Sequence, residues 1–99
     1  MFVKQQLVIL ELLDENRKWW YGLELVKASD GKLGRGTIYT WLSSLIEQGF
    51  VKSREENDEE FDPQHPRQLR RTLYRITEDG IDAKSEQQRT GLTLAPEPA

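Results

Sequence analysis

The chain has 99 residues, of which 36% are hydrophobic and 31% charged, and its formal net charge is −3. A chain of this length holds one hydrophobic core, and no run of about 18 apolar residues is present, so we expect one small soluble domain without a membrane span. The absence of cysteine excludes disulfides and thiol ligands, and the single histidine, His65, argues against a histidine-rich site. We therefore expect a cytoplasmic protein that is not an enzyme and needs neither metal nor cofactor.

The first predicted helix covers about residues 3–16. Its apolar stripe at helical spacing consists of Val3, Leu7, Leu10 and Leu13. Three more apolar residues lie outside that stripe and widen the apolar arc, namely Val8, Ile9 and Leu12. We expect this helix to contact its own core on one side and a partner subunit on the other.

A short second helix is predicted over residues 23–29 and ends before Gly31, because glycine readily adopts the left-handed conformation that caps a helix. An aromatic turn precedes it. We expect one of Trp19 and Trp20 to be buried and the other to cover neighbouring surface. Alternatively, these two side chains line an effector site together with Trp41.

The third predicted helix begins at Gly36 or Thr37 and ends at Gln48. On a helical wheel, its apolar side consists of Ile38, Leu42, Leu45, Ile46 and one edge of Trp41. The opposite side displays Thr40, Ser43, Ser44 and Glu47, with Tyr39 at its border. A plain surface helix in so charged a chain would carry Lys and Glu there. The small, polar face therefore indicates close approach to another macromolecule.

A β-hairpin follows the third helix, with predicted strands at residues 50–54 and 69–76. The loop between them, residues 55–68, is acidic and contains Pro63 and Pro66. Proline cannot donate a backbone hydrogen bond, so this loop is expected to be irregular.

Thr77 is expected to cap a last helix of about three turns. Residues 90–99 contain small residues and two prolines and are expected to form a disordered tail. The predicted domain therefore covers residues 1–89.

Charge is segregated along the chain. Residues 32–54 carry a net charge of +3 and residues 63–76 carry +4, whereas residues 55–62 hold six acids and no base. Because salt screens charges beyond about 10 Å, local charge influences contact with a polyanion more than net charge does. The two basic segments are candidate nucleic-acid contacts, and a solvated surface is the ordinary alternative.

The order of these elements is that of a winged helix-turn-helix, in which helices two and three form the pair and the hairpin loop is the wing. The fold class is thus mainly α with a small β-hairpin. Four stretches carry a more specific signal: ILELL, YGLELVKAS, RGTIYTWLSSLIEQGFVKSREE and RRTLYRITEDG. Together they resemble the PadR family of transcriptional regulators over most of residues 9–85.

The resemblance implies a homodimeric repressor that places helix 37–48 in the DNA major groove and the 55–68 wing against flanking phosphates. Tyr39 and Thr37 match a tyrosine and a threonine of the family motif. The candidate DNA contacts are Lys32, Arg35, Thr37, Tyr39, Thr40, Ser43, Ser44, Lys52, Arg54, Arg67, Arg70 and Arg71. The dimer is expected to form partly through the first and last helices, and a small-molecule effector is compatible with it.

The acidic wing supports an alternative function, a winged helix that binds a protein partner. The arginines at positions 67, 70 and 71 discriminate between the two. If they form an exposed edge, DNA is favoured as the ligand; if the neighbouring acids pair with them, a protein partner is favoured.

The chain departs from the family pattern in two further features. It has serines at positions 43 and 44, where the family usually carries basic residues, and its last helix is short.

Overall fold

The computed structural model describes residues 2–64 and 69–90. Its helices are α1 (Lys4–Glu15), α2 (Gly22–Ala28), α3 (Ile38–Glu47) and α4 (Glu78–Thr90). Its strands are β1 (Trp20–Tyr21), β2 (Val51–Glu55) and β3 (Thr72–Ile76). The predicted winged helix-turn-helix is confirmed. The predicted disordered tail lies outside the described residues, apart from Thr90 at the end of α4.

The sheet contains a strand that the sequence analysis missed. Trp20 and Tyr21, predicted as part of an aromatic turn, pair antiparallel with Tyr74 and Leu73 of β3. The strand order is therefore β1-β3-β2. Two residues are too short to show a two-residue alternation. This strand forms because β3 offers a free edge to a segment that the end of α1 brings alongside it.

The core lies where α1, α2 and α3 meet the inner face of the sheet. Its largest fully buried side chains are Ile9, Leu10, Leu13, Leu25, Ile38, Leu42 and Leu45. Burying one such aliphatic side chain stabilises the fold by about 1.5–3 kcal/mol. The α1 stripe is corrected in one respect, because Ile9 is fully buried whereas Leu7 is only partly buried. α1 contacts α3 and α4 within the same chain, and Leu7, Val8 and Leu12 of its apolar arc are only partly buried.

The α3–β2 corner fixes the start of α4. The Thr77 backbone N–H donates to the Phe50 carbonyl at 3.1 Å, and the Thr77 hydroxyl donates to the Gly49 carbonyl at 2.7 Å. The same hydroxyl accepts the Gly80 N–H at 3.0 Å, so Thr77 caps α4 as predicted. A Cβ built on Gly80 would lie 2.2 Å from the Phe50 carbonyl oxygen. Glycine at position 80 therefore allows α4 to pack onto this corner.

Polar contacts attach α4 to the N-terminal part of the chain. The Lys84 ammonium lies 2.7 Å from the Asp14 carboxylate, and both side chains are largely buried. The buried Gln87 accepts the Phe2 N–H at 2.7 Å and donates to the Phe2 carbonyl at 3.3 Å. Although α4 is poor in apolar residues, these bonds hold it against α1.

In the part of the chain that the structure describes, no helix is long and apolar enough to cross a membrane. The same residues contain no group of three or more acidic or histidine side chains arranged to hold a metal ion.

Candidate nucleic-acid interface

The outward face of α3 is the centre of the candidate interface. Ile38, Leu42 and Leu45 are buried, which turns the opposite side of the helix to solvent. Tyr39, Thr40 and Ser43 are exposed there, as predicted. Tyr39 keeps 48% of its surface exposed and is the large aromatic of this face. These side chains are short or planar, so another surface can approach the helix backbone closely.

Ser44 does not share this exposure, and the predicted placement is corrected. Its hydroxyl oxygen accepts hydrogen bonds from Gln6 Nε2 at 3.3 Å and Gln48 Nε2 at 3.1 Å. The packing of α1 alongside α3 places position 44 at the boundary between the two helices. Ser44 therefore joins α3 to α1 and is poorly placed to contact a base edge.

The turn between α2 and α3 presents two cations. Leu33 is buried and anchors the turn, and its N–H donates to the Ser29 hydroxyl at 3.0 Å. Lys32 and Arg35, on either side of this anchor, are exposed. Neither has an ion pair with any residue that the structure describes. We call Lys32 and Arg35 the basic turn. The exposed Thr37 then leads into α3.

The arginines beside the wing are engaged by its acids. Arg54 makes two hydrogen bonds to the Glu60 carboxylate, at 2.7 and 3.1 Å. This pairing, with an added bond from the Asn57 N–H, lowers the pKa of Glu60 to about 2. Arg70 lies 2.6 Å from the Asp58 carboxylate. Arg54 and Arg70 therefore each have an anionic partner within the chain, and their contact with phosphates stays a prediction.

Arg71 has its partner deeper in the structure. It lies 3.3 Å from the carboxylate of Glu56, which is only 4% exposed. Glu56 also accepts the Arg71 backbone N–H and the Tyr21 hydroxyl, each at 2.7 Å. These bonds, the Arg71 N–H first, lower the pKa of Glu56. Glu56 thus connects the wing to the start of α2, a role that the sequence analysis missed among six similar acids.

We call Arg54, Arg70 and Arg71 the wing arginines. The remaining predicted wing contact, Arg67, lies outside the described residues.

Lys52 lies apart from the α3 face. It is exposed and stands opposite Arg75 in the strand pairing, whereas the neighbouring pair, Val51 and Ile76, is buried. Because side chains alternate across a strand, Lys52 and Arg75 project from the outer face of the sheet. The Lys52 ammonium lies 5.9 Å from the centre of the Trp19 ring. Lys52 is therefore placed on the outer face of the sheet and not on α3.

The tryptophans follow the packing expectation only in part, because Trp19 and Trp20 are both partly buried. Trp20 packs against the core, and its indole N–H donates to the Asn16 carbonyl at 2.8 Å. Trp19 covers the outer sheet face, with the Arg54 guanidinium 4.8 Å from its ring centre. Trp41 packs against the core from α3.

Two paired helices, an exposed polar face on the second, a basic turn before it and a hairpin wing after it define a winged helix-turn-helix protein of the DNA-binding class. The model of the transcriptional regulator PadR-like family matches residues 9–87. The chain therefore belongs to this family of transcriptional regulators.

Solved structures agree with this assignment. A PadR family transcription regulator from Clostridium difficile is 25% identical with a TM-score of 0.65, over 86% of this chain and 83% of its own. A transcriptional regulator from Clostridium thermocellum is 27% identical with the same TM-score, over 87% and 80%. Bacillus subtilis PadR in complex with operator DNA is 21% identical with a TM-score of 0.63, over 96% and 50%, and shares the fold. A search of the curated proteins gives no significant match.

Proposed function

We propose that the protein represses transcription by docking α3 in the major groove of an operator. The exposed α3 face beside the basic turn is the observation that carries this proposal. Tyr39, Thr40 and Ser43 present hydroxyl groups that can form hydrogen bonds with base edges or phosphates. Bacillus subtilis PadR, which shares this fold, was solved in complex with operator DNA, and this supports DNA as the ligand that we propose here.

Phosphate contacts come chiefly from the basic turn. Lys32 and Arg35 have no anionic partner within the described ranges, whereas the wing arginines are paired with Glu60, Asp58 and Glu56. An ion-paired arginine releases few counterions from DNA, because its charge is already compensated. Thr37 adds a hydroxyl at the start of α3, where backbone N–H groups favour an anion. The wing is therefore expected to contribute less to phosphate binding than the basic turn does.

The proposed assembly is a homodimer formed through α1 and α4. Leu7, Val8 and Leu12 of α1 remain only partly buried within the protomer, which leaves apolar surface for a partner. A two-fold dimer would read two half-sites about 34 Å apart, one turn of DNA, on a pseudo-palindrome. It would act in the cytoplasm, and a small-molecule effector that alters the dimer geometry would switch it.

The test is fluorescence anisotropy with DNA fragments spanning the region upstream of the protein's own gene, titrated from low to physiological salt. One fragment should bind far more tightly than competitors and weaken as salt rises. Ser43→Arg should steepen the salt dependence by about 0.9 per protomer, because it adds one cation to the docked face. Absence of binding to every fragment at low salt would contradict the proposal.

A second candidate function is binding of a protein partner through the wing, and the pairing of the wing arginines is the observation that favours it. Glu55 and Glu59 are exposed and have no ion pair in the described part of the chain. Replacing both with glutamine should leave DNA affinity unchanged or slightly higher if α3 docks on DNA. If the wing binds a basic protein surface instead, the double variant should lose that partner.

A further inference from the structure

Gly22, the first residue of α2, is in unusually close contact with Tyr39. A Cβ built on Gly22 would lie 2.7 Å from Tyr39 Cε1 and 3.1 Å from both Cζ and the hydroxyl oxygen. Real Cβ atoms essentially never approach another atom to 2.7 Å. The hydroxyl end of the Tyr39 ring therefore lies directly on the first turn of α2, in space that any side chain at position 22 would occupy.

The backbone conformation does not explain why residue 22 is glycine. Gly31 and Gly49 have positive φ angles, which other residues adopt with strain, but Gly22 does not. Gly22 is the first residue of α2, and alanine is the better helix former, so helix propensity does not explain the glycine either. The contact with Tyr39 remains as the structural reason for glycine at this position.

The contact constrains the most exposed aromatic of the α3 face. Tyr39 is 48% exposed, yet Gly22 supports one end of its ring. Burial raises the pKa of Tyr74, and the nearby Tyr39 phenol adds to this shift. We propose that Gly22 is a positioning residue, which sets the direction of the Tyr39 hydroxyl toward DNA without touching DNA itself. This inference rests on the proposed function.

A double-mutant cycle in operator affinity tests the inference. Tyr39→Ala should weaken binding about tenfold, the cost of one hydrogen bond to a charged phosphate. Gly22→Ala should weaken binding by a comparable factor when Tyr39 is present, because the added methyl displaces the ring. In the Tyr39→Ala background, Gly22→Ala should have almost no effect, since the ring it would displace is gone.

Gly36→Ala is the matched control. Its added Cβ would meet nothing within 4 Å, and its φ is not positive. Whatever its own effect on DNA affinity, this effect should be the same with and without the Tyr39 ring. Coupling confined to position 22 supports the inference, whereas equal coupling at position 36 overturns it.

Thermal unfolding of the same four proteins supplies a measurement without DNA. Gly22→Ala should lower the Tm when Tyr39 is present and raise it in Tyr39→Ala, because alanine favours helix more than glycine does. An effect of the same sign in both backgrounds overturns the inference. If wild type binds operator but the affinity cycle shows no coupling, the inference alone fails. If wild type binds no DNA, the proposed function fails, and this role of Gly22 with it.

Discussion

The basic turn and the wing arginines should differ sharply in their contribution to DNA binding, although sequence alone treats them alike. Arg35 has no anionic partner in the described structure, whereas Arg54 makes two hydrogen bonds to Glu60. We expect Arg35→Gln to reduce the salt dependence of operator binding. Arg54→Gln should leave the salt dependence nearly unchanged, because this guanidinium is already neutralised by its own chain.

The expected size follows from counterion release. Each phosphate contact contributes about 0.9 to the slope of log affinity against log salt. Between 50 and 200 mM salt, one contact corresponds to a change of roughly 3.5-fold in affinity, and two symmetric contacts in a dimer to roughly 12-fold. Glu60→Gln should have the opposite effect to Arg35→Gln, because it releases Arg54 for a phosphate.

The measurement is anisotropy of one labelled operator fragment at five or more salt concentrations for wild type and the three variants. Circular dichroism and thermal unfolding would establish that each variant is folded. Equal reductions in slope for Arg35→Gln and Arg54→Gln would refute the reasoning, since they would show that the Arg54–Glu60 pair opens at no cost when DNA binds.

Three further outcomes are expected. Gly80→Ala should destabilise the fold by about 1–3 kcal/mol in urea unfolding, because its methyl collides with the Phe50 carbonyl oxygen; unchanged or increased stability would exclude that clash. The hydrogen bond from Lys84 is the largest cause that lowers the pKa of Asp14 below 3.8. Stability from this pair should therefore be complete above about pH 4 and be lost as the pH falls through the lowered pKa. Asp14→Asn should have a lower Tm at pH 7 and a flatter Tm profile between pH 4 and 2.5, and parallel profiles would contradict this account. Ser44→Arg should lower the Tm, since it breaks the bond from Gln6, whereas Ser43→Arg should not; equal Tm values would show that the bond between Ser44 and Gln6 contributes little.

Local patterns account for the elements that were predicted correctly. The apolar spacing of α3 identified Leu42 and Leu45 as core residues, and both are fully buried. The same spacing predicted that Tyr39, Thr40 and Ser43 are exposed, because residues on the far side of a helix cannot reach the core. Ser44 was placed wrongly because a helical wheel describes one helix and does not include the neighbour that covers its edge.

Residues far apart in sequence account for what was missed. β1 depends on the edge of β3 and has too few residues for a pattern of its own. Glu56 looks like any acid of the wing until the fold places it against Tyr21, 35 positions earlier. Gly22 and Gly80 give no local signal for the close contacts that they permit, since they lie in ordinary backbone conformations.

The sequence by itself determined the class of protein and the face that it presents. Helix periodicity, glycine at helix ends and the family motif depend on residues within a few turns of one another, and such information is local. Only the tertiary structure decided which charges remain available. The energy of an ion pair depends on the distance between two groups, and folding brings Arg54, Arg70 and Arg71 to acidic partners while it leaves Lys32 and Arg35 in solvent.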